Sequence, residues 1–202
     1  MIKVENPGNG DHARGWGPPY WHGTSCAFQS LNRDKRGITV DLRDPGAAAA
    51  AAQLSLASPR ISGLMFGAED FSRDIGLPTV RTGRAREFIH ARSMIVFAAA
   101  AAGVTPIDGV WPNLADDEGL RQDSLLARDL GFAGKSLIHP GQISTINEVF
   151  SPTAEDLDFA RRLIADFETA VENGRGSISF AGQLVDRPIY ERARATVRLG
   201  DR

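Results

Sequence analysis

Three short apolar runs, Ile61–Phe66, Thr105–Val110 and Lys135–Ile138, alternate with two stretches of helical period, Arg84–Ala102 and Asp116–Leu130. Strands linked through intervening helices pair in parallel, with right-handed crossovers that lay the helices on the sheet. This alternation restricts the chain to an α/β fold. In such folds the chemistry gathers beyond the carboxyl ends of the strands. The first run is bounded by Gly and has the look of a strand covered on both faces; it ends on Gly67 and sets Asp70 at its mouth. An acid there is a candidate ligand for a hard divalent cation, and equally a charge at the start of the next helical turn, as is Glu69.

The helical stretches carry their own punctuation. Phe88, Ala91, Ile95, Ala98 and Ala102 share one face of the first, which Gly103 ends at a C′ position. The second opens on acids that complement its dipole and closes at Gly131. Downstream, Gln142–Val149 reads as a short helix. Ser151 and Pro152 read as the N-cap and first residue of a long helix through Val171, with Leu157, Ala160, Ile164, Phe167 and Val171 as its apolar stripe. A β-rich segment, Ser177–Phe180, then precedes a final helix from about Pro188 to Leu199. Upstream, the composition changes at the alanine run that follows Asp44. Residues 1–46 mix Gly, Pro and aromatics around the strands Ile2–Val4 and Ile38–Leu42. Residues 47–57 read as a junction helix stopped by Ser58 and Pro59. Residues 58–202 form the α/β part.

Composition narrows the function. A net charge of −2 over 202 residues, with arginines dispersed through helices, lacks the footprint of a nucleic-acid binder. Cys26 stands alone and can make no internal disulfide, which fits a reducing cytoplasm. The longest apolar stretch, Met94–Val104, is too short to cross a bilayer, so no membrane association is expected. His12, His22 and His90 show no metal-ligand spacing with Cys26, and no phosphate loop of P-loop type is present.

From about residue 54 onward the chain resembles the citrate lyase β-subunit-like and malyl-CoA lyase family. Six segments carry the resemblance in the family's order: Gly67-Ala-Glu-Asp-Phe71, Pro106-Ile-Asp-Gly-Val110, Asp116-Asp-Glu-Gly-Leu120, Gly134-Lys-Ser-Leu-Ile-His-Pro140 with Gln142, Ile146-Asn-Glu-Val-Phe-Ser-Pro152 and Val185-Asp-Arg-Pro188. The resemblance implies a partial (β/α)8 TIM-barrel-like fold, made of the last three βα units and the C-terminal extension. The first 46 residues resemble a fragment of the class III CoA transferases, through Ile2-Lys-Val-Glu-Asn-Pro7, the segment from Gly10 to Pro19 and that from Leu31 to Pro45. That family's catalytic aspartate has no counterpart here.

The resemblance also implies chemistry. In the lyase family Mg²⁺ is held by a Glu and an Asp and polarises a small oxo- or hydroxy-acid. Asp70 matches the Asp, whereas the Glu and a substrate-gripping Arg fall in units this chain lacks. Asp186 matches an acid that protonates the enolate or assists thioester hydrolysis, from an extension that closes over a neighbouring subunit; it can also cap the last helix. His139 and Gln142 are expected beside CoA, or His139 as a structural histidine. Arg33 and Lys35 suit CoA phosphates or form an exposed basic turn. The expected activity is Mg²⁺-dependent carbon–carbon cleavage or condensation of a malyl-CoA or citryl-type CoA thioester by a homo-oligomer. The alternative is a catalytically impaired truncated fusion that binds CoA or a partner, or a transferase-like role for the N-terminal segment.

Overall fold

The computed structural model describes residues 2–5, 12–15, 18–31, 36–39, 61–77 and 85–201. The junction helix expected at 47–57 lies outside the described residues. The chain divides into two units, residues 1–142 and 143–202.

In the first unit, strand β1 (Ile2–Glu5) is followed by a 3-10 turn at His12–Gly15, the strands β2 (Tyr20–Trp21) and β3 (Thr24–Ser25), helix α1 (Cys26–Leu31) and strand β4 (Arg36–Thr39). β1 pairs in parallel with β4, and β2 with β3 antiparallel. The Arg14 guanidinium lies 4.3 Å over the Phe28 ring. Strand β5 (Gly63–Met65) and helix α2 (Ala68–Asp74) come next, then a 3-10 turn at Arg86–Phe88 leading into helix α3 (Ile89–Ala102), strand β6 (Thr105–Asp108), helix α4 (Asp117–Leu130) and strand β7 (Gly134–Lys135). The helix expected from Arg84 thus begins as a 3-10 turn. α3 and α4 do end where glycine makes them end: Gly103 and Gly131 take φ of 66° and 103° in the left-handed region, where a Cβ is costly.

β5, β6 and β7 form one parallel sheet in that order, with Met65 opposite Ile107 and Asp108 opposite Lys135. Paired residues point to the same face. Phe66, Asp108 and Lys135 therefore look toward the helices and are buried, while Met65 on the other face is 62% exposed. The Ser136 hydroxyl sits 3.2 Å from the Met65 sulfur on that open face. The expectation of a first strand covered on both sides is corrected: helices cover one side, and no described strand lies across from the other. Parallel strands normally bury both faces.

The covered side is built on charge. Arg92 of α3, Asp108 of β6, Asp123 of α4 and Lys135 of β7 have side chains at most 1% exposed. The Arg92 guanidinium donates to both Asp108 oxygens at 3.1 and 2.7 Å, to Asp123 Oδ1 at 3.0 Å and to the Asp123 carbonyl at 3.2 Å. Lys135 Nζ donates to Asp108 at 2.6 Å and to Asp123 at 2.5 Å. Two cations and two anions cancel, and each carboxylate is held by both cations. The Phe132 ring lies 6.0 Å from the Arg92 guanidinium, and the rings of Phe66, Phe71 and Phe88 cluster with centroids 5.6 to 6.4 Å apart.

The second unit runs from α5 (Ile143–Phe150) through α6 (Ala154–Glu172), β8 (Ile178–Phe180) and β9 (Gln183–Val185) to α7 (Arg187–Gly200). The long helix starts later than Ser151 and Pro152 suggested, at Ala154. Thr153 is its N-cap, accepting from the Asp156 amide while the Asp156 carboxylate accepts from the Thr153 amide, which satisfies two end donors at once. Its buried stripe is Ala160, Leu163, Phe167 and Ala170, so Val171 is left 49% exposed. β8 and β9 form a hairpin. The unit's core joins Ala160, Leu163 and Phe167 to Val185, Tyr190 and Ala193, with the Phe167 and Tyr190 rings stacked at 4.8 Å. The Tyr190 hydroxyl donates to Glu168 at 2.6 Å, and this bond, with burial, holds its pKa above the usual phenol value. Among the described residues no helix is long and apolar enough to cross a membrane.

A Lys135→Met variant leaves two buried carboxylates facing one guanidinium. Breaking a buried pair in this way costs about 3–5 kcal/mol, so urea unfolding should show a loss of that order. An unchanged midpoint would contradict the role given to the quartet.

Candidate active site at the carboxyl end of the sheet

Each strand of the β5-β6-β7 sheet hands its chain to a loop at the same end, because the strands are parallel. After β5, Phe66 and Gly67 lead into α2, whose first turn holds Glu69 and Asp70. The Asp70 side chain is 76% exposed and pairs with Arg73 at 3.4 Å. This loop is pressed against the next. A Cβ on Gly109 would lie 2.6 Å from the Phe66 carbonyl oxygen, so only glycine allows the loop after β6 to approach so closely.

The loop after β6 carries Trp111, 1% exposed, whose indole N–H donates to the Asp116 carbonyl at 3.2 Å. Asp116 caps α4 by accepting from the Gly119 amide at 2.8 Å. The third loop is tied to this one by Gln142. That side chain is buried, with its oxygen accepting from the Ile138 amide at 3.0 Å and its nitrogen donating to the Trp111 carbonyl at 2.9 Å. The third strand, expected to reach Ile138, stops at Lys135. His139 lies exposed in the loop, its Nδ1 accepting from the Gly141 amide at 3.0 Å.

The sheet's end thus gathers Asp70, His139 and Gln142 on the loops of one unit. Asp186 belongs to the second unit, where it stands exposed at the N-cap of α7 with no side-chain capping bond. Arg33 and Lys35 lie outside the described residues. Sequence reasoning gave Gln142 a place beside CoA but missed that both ends of its amide are occupied by backbone. It also missed Arg92 and the charge quartet, although Asp108 and Lys135 lay inside the quoted segments.

Asp108 and Asp123 are taken up by Arg92 and Lys135, and among the described residues no three His, Cys, Asp or Glu side chains cluster as a metal site. Asp70 by itself fits the role of one protein carboxylate on a hydrated Mg²⁺, an ion that often keeps several waters.

Residues 47–140 match the HpcH/HpaI aldolase/citrate lyase family, and residues 1–58 match CoA-transferase family III. More particularly, the chain is 40% identical over 151 residues to citrate lyase subunit beta of Leuconostoc mesenteroides subsp. cremoris, a match covering 75% of this chain and 49% of the relative. It is 32% identical over 189 residues to L-malyl-CoA/beta-methylmalyl-CoA lyase of Rhodobacter capsulatus, covering 85% of this chain and 59% of that one. Among solved structures, CitE of Mycobacterium tuberculosis in complex with magnesium, acetoacetate and coenzyme A superposes with a TM-score of 0.69 at 32% identity, covering 84% of this chain and 62% of that chain. The fold is accordingly a partial barrel of the citrate lyase β type. The chain spans about half the length of the citrate lyase β subunits it matches.

Replacing Gln142 by Leu leaves the Ile138 amide and the Trp111 carbonyl without this partner. An abandoned buried polar group costs about 1–3 kcal/mol, and denaturant unfolding should register a loss of at least that size. A neutral Gln142→Leu would show that the two loops are joined by other means.

Proposed function

We propose that the chain acts on a CoA thioester as a carbon–carbon lyase of the citrate lyase β type, with Mg²⁺ and as a homo-oligomer. The observation that carries this reading is Asp70, an exposed carboxylate in the first turn after a parallel strand, within the segment Gly67–Phe71. It is supported by relatives described as citrate lyase subunit beta and malyl-CoA lyase, and by a similar structure that holds magnesium, acetoacetate and coenzyme A.

In this reading Asp70 supplies one carboxylate to the ion, and the other comes from outside the described residues. The ion, when bound, withdraws charge from the oxygens of a small oxo-acid. In cleavage of a malyl-type thioester the hydroxyl gives its proton to solvent and becomes the carbonyl of the oxo-acid, while the electron pair of the broken carbon–carbon bond passes to the acetyl carbon of the thioester as an enolate. The acetyl carbon then needs a proton, and Asp186, contributed by a second copy, serves as the acid. His139 lies beside the CoA ester, Gln142 supports its loop, and Arg33 and Lys35 meet the CoA phosphates.

A second reading, in which the chain binds CoA without catalysis, is favoured by the Asp70–Arg73 pair at 3.4 Å, in which a cation already sits beside the carboxylate assigned to the ion. The two readings part in one assay. Cleavage of malyl-CoA should require Mg²⁺ and should fall by about a hundredfold or more in Asp70→Ala, as expected for loss of a metal carboxylate. Cleavage that is indifferent to both would reject the assignment of Asp70. Retention of CoA without any cleavage would establish the binding module instead.

A further inference from the structure

The hairpin of the second unit leaves one strand edge without a partner. Ala181 and Gly182, with φ of 47° and 77°, form a two-residue turn between β8 and β9, so Phe180 and Gln183 flank it as a hydrogen-bonded pair. Antiparallel pairs alternate between hydrogen-bonded and non-hydrogen-bonded. Ser179, opposite Leu184, therefore turns its amide and its carbonyl away from β9, and among the described residues neither finds a backbone partner. β8 reads Ile-Ser-Phe and carries none of the lysine or proline that guards an exposed edge. The edge opens on a cleft of about 760 Å³, lined by Asp166, Thr169 and Asn173 along one stripe of α6 and by Arg175, Ile178 and Ser179 beyond its end.

Opposite charges mark the two ends of this cleft. Asp166 lies seven residues, about 10 Å, before Asn173 along the helix. Arg175 sits at the other end, where its amide closes α6 by donating to the Ala170 carbonyl at 2.9 Å. Both side chains belong to exposed residues, and neither has an ion-pair partner among the described residues. A free donor and a free acceptor on one residue, set between an acid and a base, complement their own copy turned about a two-fold axis. We propose that the β8 edge is the interface between two copies of this chain, with the axis beside Ser179. Each Ser179 amide donates to the Ser179 carbonyl of the other copy, which joins the hairpins into one four-stranded antiparallel sheet. The two α6 helices then run antiparallel, and Asp166 of each copy meets Arg175 of the other. This names the contact surface for the homo-oligomer of the proposed function, and rests on that reading for the occupant being a second copy.

The experiment uses the full chain. Analytical ultracentrifugation measures assembly of wild type, Ser179→Pro, Asp166→Arg, Arg175→Asp and the Asp166→Arg/Arg175→Asp double variant, while amide hydrogen exchange reads Ser179. Wild type should assemble, with a Ser179 amide that exchanges slowly at high concentration and fast on dilution. Ser179→Pro removes an amide that β9 does not use, and should weaken assembly by at least about tenfold, the scale of two lost hydrogen bonds. Each single charge reversal should weaken assembly severalfold. The double variant restores every pair across the axis with its signs exchanged, and should recover most of that loss. Where Ser179→Pro does not fold, the charge reversals decide alone. A monomeric wild type overturns the interface and the homo-oligomer together. A Ser179 amide protected without assembly overturns the interface by assigning the edge to a strand of the same chain. An oligomer that no variant weakens also overturns it, while leaving the homo-oligomer of the proposed function standing.

Discussion

Arg92, Asp108, Asp123 and Lys135 meet where β6, β7, α3 and α4 converge, and the first unit's sheet depends on their mutual satisfaction. Taking four charges out of water costs several kcal/mol per ion, and only close, shared hydrogen bonds offset it. Here each carboxylate is held by both cations, at 2.5 to 3.1 Å between side chains. Such a quartet contributes definition more than net stability. An apolar core of the same volume could slide by a residue, but one step in β6 or β7 would turn Asp108 or Lys135 to the other face and strand the remaining charges. The Asp108 carbonyl meanwhile accepts from the Ser136 amide at 2.9 Å, so the fixed register continues past the end of β7.

That register reaches the loops where function is proposed. Gly109 follows Asp108 directly and presses on the Phe66 carbonyl, one residue before the turn into the helix that bears Asp70. Ser136 follows Lys135 and leads to the His139 turn, which Gln142 fastens to Trp111. The other face of the sheet is open, with Met65 62% exposed.

The alternation of apolar runs and helical periods was enough to read the parallel βα units, and Gly103 and Gly131 marked two helix ends because left-handed φ favours glycine. Precise starts were less legible. Ser151 and Pro152 satisfied a common N-terminal pattern, yet the reciprocal bonds of Thr153 and Asp156 decided the cap, and the buried stripe turned with it toward Leu163 and Ala170. The quartet was not legible at all. Arg92 sits in an otherwise mostly apolar helix, and its carboxylate partners lie 16 and 31 residues away. Periodicity treats a charge as a surface residue, and only the folded geometry shows that these four neutralise one another. The same holds at the site: Asp70 was legible from its place after the first strand, and His139, Gln142 and Asp186 were named from the family resemblance, but the twofold engagement of Gln142 and the Gly141 bond to His139 depend on loop geometry that spacing does not encode.

The claim that a buried charge quartet fixes the register of this partial barrel is tested most directly by native-state amide hydrogen exchange at Ser136 and Phe66. Their amides bond the carbonyls of Asp108 and Ile107 across β6. If the quartet governs the sheet, both should exchange only through the largest opening of the first unit, and so rank with its slowest amides. Exchange at either position as fast as in the exposed turn at His22 and Gly23 would show that the strands open independently of the charges, and would contradict the account.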